Sequence, residues 1–214
     1  MPATTAQRPT TILFVRHGTT ATTGTVLPGR APGLHLSERG NAEANEVADR
    51  LKELAHKPSA IYMSPLERTR ETAAPIAKTL HLKPTVERGL LECDFGLWTG
   101  KRLATLARRA EWRTVQHAPS TFRFPEGESF VEMQLRMWET VSAIAKRHAH
   151  RTVVVVSHAD PIKAAVTYAQ GVPLDLFQRT VISPCSVSAV AFTGSTPIVL
   201  CVNSTGSLKG LSPS

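Results

Sequence analysis

Arg16-His17-Gly18 ends an apolar run at residues 11–15 and sets two potential cations side by side. Similar groups follow two other apolar runs. Arg68 lies four residues beyond "AIYMS" at 60–64, and His158 directly follows "TVVVVS" at 152–157. Arginine offers a planar fork of donors that matches the oxygens of a phosphate. An imidazole beside guanidinium groups is held neutral, because nearby cations disfavour its protonation. Its lone pair can then attack phosphorus and form a phosphohistidine. Phosphoryl transfer depends mainly on positioning and charge neutralisation, so such a cluster suffices without a metal.

These residues act together only if the fold gathers them. Apolar runs at 11–15, 60–64, 85–86 and 152–158 read as strands, and helical patterns separate them. The alternation predicts a three-layer α/β/α sandwich with a mostly parallel sheet. The runs at 186–192 and 197–203 pair through "TGST" as a hairpin, one antiparallel edge. "VVVVS" has the composition of a strand buried on both faces. Ser37 precedes a helix with Ala44, Val47, Leu51 and Leu54 on one face. Ser64-Pro65-Leu66-Glu67 and Ser129 with Glu132 read as capping boxes. The helix after Ser129 carries Leu135, Trp138, Val141 and Ala145 on one side, and Asp160-Pro161 reads as a helix start capped by the aspartate. In open α/β sheets ligands bind at the carboxyl ends of the strands, where helix N-termini favour anions. Arg16, His17, Arg68 and His158 all fall at that edge.

The 214 residues and a formal net charge of +8 suit one domain with a small anionic substrate. The core is expected over 11–203, a lid-like stretch over 94–128, and loose tails at 1–10 and 204–214. Basic residues are scattered, and no nucleic-acid-binding motif is present, so a nucleic-acid partner is not expected. Cys93, Cys185 and Cys201 have no CxxC spacing, and the remaining histidines lack ligand spacing; neither a disulfide framework, a metal nor a cofactor is expected. The apolar runs are too short to span a bilayer and the N-terminus is polar, which points to a cytoplasmic protein without a membrane partner.

"RHG" after a strand, "SPLERTRET", "LLECDFGLWTG" and "VVVVSHAD" together, in this order, resemble the histidine phosphatase superfamily, the phosphoglycerate-mutase-like fold. The resemblance spans roughly 11–203. It implies that His17 is the phosphorylated nucleophile, that Arg16 and Arg68 hold the phosphoryl oxygens, and that His158 donates to them. It assigns Glu92 to protonating the leaving oxygen and then activating water. Two positions depart from the usual wording. Thr23 stands where many members carry asparagine, and its hydroxyl is one of several in "TTATTGT" that can reach a phosphate. Ala159 replaces the usual glycine, and its backbone N–H still serves.

The expected activity is therefore metal-independent hydrolysis of phosphomonoesters of small metabolites. Family mutases usually carry an insertion after the acidic residue and a tryptophan-asparagine pair in the first loop, both missing here. A phosphoglycerate-type phosphomutase is the first alternative. A non-catalytic phospho-ligand binding protein is the second, and members of that kind lose the nucleophile or the acid. Lys101, Arg102, Arg108, Arg109, Arg113 and Arg123 in the lid-like stretch read as a solvated face or as contacts to further acidic groups of a ligand. The hairpin edge is open to pairing as a homodimer.

Overall fold

In the computed structural model, residues 8–194 and 196–211 are described. Six strands form one mixed sheet in the order β3-β2-β4-β1-β5-β6. They are β1 (Thr10–Arg16), β2 (Ala60–Met63), β3 (Pro84–Val86), β4 (Thr152–Ser157), β5 (Val187–Phe192) and β6 (Pro197–Ser204). The first four are mutually parallel, whereas β5 runs antiparallel to both β1 and β6. The expected mostly parallel sheet with one antiparallel edge is thus the observed one.

Strand alternation divides the core into two layers. Leu13, Val15, Val154 and Val156 point to the face covered by α1 (Glu38–Leu51) and α2 (Glu67–Leu80). Ile12, Phe14, Val153 and Val155 point to the face covered by α5 (Phe130–Arg147) and α6 (Ala159–Ala169). Every residue of β4 is buried, as its uninterrupted apolar run requires. The short α3 (Leu103–Leu106) and α4 (Ala110–His117) lie in the stretch expected as a lid. That stretch has its own aromatic core, in which Trp98 packs against Phe122 and Phe124. Among the described residues no helix is long and apolar enough to cross a membrane.

Ser129 and Glu132 form the expected capping box at α5. Of the stripe expected on α5, Val141 and Ala145 are buried and Trp138 packs partly buried against the same core; Met133, Met137 and Ile144 are buried as well, and Leu135 is instead 57 % exposed. The cap read at Ser64 does not form, because α2 starts at Glu67 with Leu66 at the cap position. Asp160 does not cap α6 either; His158 holds that position and Asp160 lies in the first turn.

The C-terminal stretch from 204 is not loose as far as it is described. Arg50 donates to the carbonyls of Ser204 and Gly206, and the Glu53 carboxylate accepts from the Ser207 hydroxyl and the Leu208 N–H. Leu208 is buried in the α1 face of the core. At the other end, Thr10 already belongs to β1 and Arg8 donates to the His150 carbonyl; residues 1–7 of the expected tail lie outside the described residues.

Candidate active site

The sheet order sets the carboxyl ends of β2, β4 and β1 side by side. Register then aligns the residues just beyond those ends. The His17 N–H donates to Ser157 and the Ser64 N–H to Val156, each over 3.0 Å. The rings of His17 and His158 meet edge to face with centroids 5.3 Å apart. Both are buried.

His17 Nδ1 lies 2.8 Å from the carbonyl of Gly18. A carbonyl only accepts, so Nδ1 carries the proton and Nε2 keeps its lone pair. Burial, then the charges of Arg68 and Arg16, push the His17 pKa well below its usual value. The imidazole is therefore neutral near pH 7. His158 is depressed in the same direction by burial, Arg68, His17 and Arg16.

The two arginines face this pair with unfilled donors. Arg16 spends Nη1 on the Ile182 carbonyl at 2.7 Å, and Arg68 spends Nη2 on that of Gly29 at 2.8 Å. Among the described residues, Nε of Arg16, Nε and Nη1 of Arg68, and Nδ1 of His158 are buried without a hydrogen-bond partner. Burying unpaired donors is costly unless an anion satisfies them.

A cavity of about 370 Å³ opens onto the site, and Arg16, His17, Glu92 and Ala159 are among the residues that line it. Arg68 and His158 are fully buried. A larger cavity of about 670 Å³, bordered by Thr10, Trp138 and Phe192, lies at the opposite end of β1 and holds none of these groups.

Glu92 is 7 % exposed and accepts from the Cys93 N–H. Burial first, then the charge of Asp160, raises its pKa to about 7, against the opposing pull of Arg68 and Arg16. The carboxyl is therefore shared between acid and base forms near neutrality, as a group that gives and then takes a proton requires. Thr23 also lines the cavity. Its Oγ1 accepts from the Thr20 N–H at 2.9 Å and lies 3.0 Å from the Thr20 hydroxyl, so the two threonines form one unit at the rim. Ala159 is the first residue of α6, where backbone N–H groups lack intrahelical acceptors.

Several positioning residues escaped the sequence reading. Arg30 and Arg136, more than a hundred residues apart, both donate to the Glu92 carbonyl, and both pair with Glu128. Ser64 bonds His158. Lys163, in the second turn of α6, lines the cavity and pairs with Asp160 at 3.2 Å. The i,i+3 spacing of Asp160 and Lys163 was a usable signal; the long-range pairs left none.

Comparison with known proteins places the chain in a family. The chain matches the histidine phosphatase superfamily (branch 1) over residues 12–205. It is 32 % identical over 182 residues to phosphoserine phosphatase 1 of Hydrogenobacter thermophilus, covering 83 % of this chain and 85 % of that protein. A probable phosphoglycerate mutase GpmB of Erwinia tasmaniensis is 28 % identical over 182 residues, with 84 % and 83 % covered. Among solved structures, Bacillus stearothermophilus YhfR superposes with a TM-score of 0.84 at 26 % identity, covering 92 % of this chain and 98 % of its own. The strand-end cluster and the match along nearly the whole chain lead to one conclusion: this chain belongs to the histidine phosphatase superfamily.

Proposed function

We propose that this chain is a phosphatase that hydrolyses phosphomonoesters of small metabolites through a phosphohistidine on His17. The observation that carries the reading is the tautomer of His17: Nδ1–H is tied to Gly18, and Nε2 is left with its lone pair in a buried, cationic site.

In the first step Nε2 attacks phosphorus in line. The P–O bond to the alcohol breaks, and the departing oxygen takes the proton of Glu92. Arg16, Arg68 and His158 hold the three remaining phosphoryl oxygens as charge shifts among them. In the second step the Glu92 carboxylate takes a proton from water, whose oxygen attacks phosphorus. The P–N bond breaks and His17 returns to neutrality. The products are the alcohol and inorganic phosphate. The Ala159 N–H and the Thr20–Thr23 hydroxyls are further donors for the bound phosphate.

The test is turnover of p-nitrophenyl phosphate, joined to trapping of an acid-labile phosphoenzyme with radiolabelled substrate. Wild type is expected to release phosphate and to label at His17. His17→Ala is expected to do neither while keeping its fold by circular dichroism. Hydrolysis by that variant at the wild-type rate would defeat the mechanism. Return of the label to a second alcohol, without free phosphate, would make the chain a mutase. Tight phosphate binding with no turnover would make it a binding protein.

A further inference from the structure

Besides the phosphate-binding groups, the cavity is lined by an apolar set, Val26, Leu27, Pro28, Phe95, Leu103 and Val181, with Gln178 and Thr180 among its polar liners. None of the six cations of the 94–128 stretch lines it. Two of them are engaged elsewhere: Arg109 lies over the Trp98 ring at 5.5 Å, and Arg123 pairs with Glu132.

The cation that lines the cavity besides Arg16 is Lys163, and it is already engaged. Its Nζ is 3.2 Å from Asp160 Oδ1 and 3.1 Å from Gln178 Oε1, and its side chain is 17 % exposed. Asp160 lines the cavity as well, so the pair contributes no net charge. A carboxylate on the substrate would give up water here without gaining a free cation, and it would face Asp160. An apolar group would leave water for an apolar wall.

Resting on the phosphatase reading above, we propose that this cavity selects phosphomonoesters whose alcohol is apolar and carries no second anionic group. The Lys163–Asp160 pair acts as the filter. It neutralises the cation that lines the cavity besides Arg16.

The experiment compares benzyl phosphate with 3-phosphoglycerate. Both release a primary alcohol, so the demand for leaving-group protonation is similar. Wild type is expected to favour benzyl phosphate in kcat/KM by about tenfold or more. Asp160→Asn frees Lys163 and is expected to move the ratio toward 3-phosphoglycerate by about tenfold, whatever it does to both rates together. Val181→Lys, at an exposed position of the same wall, is expected to move the ratio in the same direction. A wild-type preference for 3-phosphoglycerate, or a ratio that neither variant moves, would overturn the selection while leaving the phosphatase standing. Absence of turnover and of phosphoenzyme with both substrates would remove the phosphatase reading, and this inference with it.

Discussion

The hydroxyl of Ser64 lies 2.8 Å from Nε2 of His158, and both residues are fully buried. A neutral imidazole has one N–H to give. If Nδ1 of His158 donates to a phosphoryl oxygen, Nε2 must accept, and the Ser64 hydroxyl can supply the proton. The Ser64 hydroxyl can thus support the tautomer that a phosphate needs. Ser64→Ala is expected to lower kcat/KM by about tenfold, the worth of one buried hydrogen bond. Nitrogen NMR of His158 should then show Nε2–H gaining population. An unchanged tautomer would leave Ser64 as packing alone.

Arg136 is expected to act on turnover through the Glu92 backbone. Its fork meets both oxygens of Glu128 at 2.8 and 2.9 Å, and it also donates to the carbonyls of Gly89 and Leu91. Arg136→Lys keeps the charge and loses the fork. It should cost about 2 kcal/mol of stability, measured by urea unfolding. It should also reduce kcat while inhibition by inorganic phosphate stays unchanged, because Arg16, Arg68 and His17 are untouched. Weakened phosphate inhibition with normal kcat would contradict this.

Gly40 holds the loop that carries His17. A Cβ there would stand 2.0 Å from the Thr19 carbonyl, and one on Gly18 would stand 2.5 Å from the Gly40 carbonyl. The need is close approach of two backbones; neither glycine has a positive φ. Because His17 Nδ1 donates to the Gly18 carbonyl, pushing this loop outward also turns the ring. Gly40→Ala is expected to cost about 2 kcal/mol and to lower kcat as well. Loss of stability with full activity would separate the loop from the ring.

The features legible in the sequence were local or periodic. The β4 run announced a doubly buried strand, and Ser129 and Glu132 are near neighbours that cap each other. Strand ends then located Arg16, His17, Arg68 and His158. The two misread caps share one cause, a polar side chain drawn to another partner or to the cavity. Ser64 looked like a cap, yet its hydroxyl serves His158, 94 positions away. Asp160 looked like a cap, yet it pairs with Lys163 and lines the cavity. The C-terminal stretch reads as polar, yet Arg50 fastens it through backbone carbonyls that no side-chain pattern reveals.

Glu92 connects the site to pH. Its pKa stands at about 7 through burial and Asp160. The protonated form serves the first step, so kcat/KM for alkyl phosphates should fall as pH rises through about 7. The fall should be weaker for p-nitrophenyl phosphate, whose departing oxygen needs no proton. Asp160→Asn removes a charge that raises the pKa and should move the limb to lower pH. Stability follows the same proton. A carboxyl that titrates at about 7 when folded, against an ordinary 4.5, binds its proton more tightly in the folded state. The resulting stability is complete below about 4.5 and is lost as pH climbs to about 7, a loss on the order of 3 kcal/mol. Glu92→Gln keeps an acceptor for the Cys93 N–H but cannot ionise. It should match wild type in thermal unfolding at pH 4, exceed it at pH 8, and hydrolyse alkyl phosphates slowly at both. A variant no more stable than wild type at pH 8 would show that Glu92 is not the buried acid.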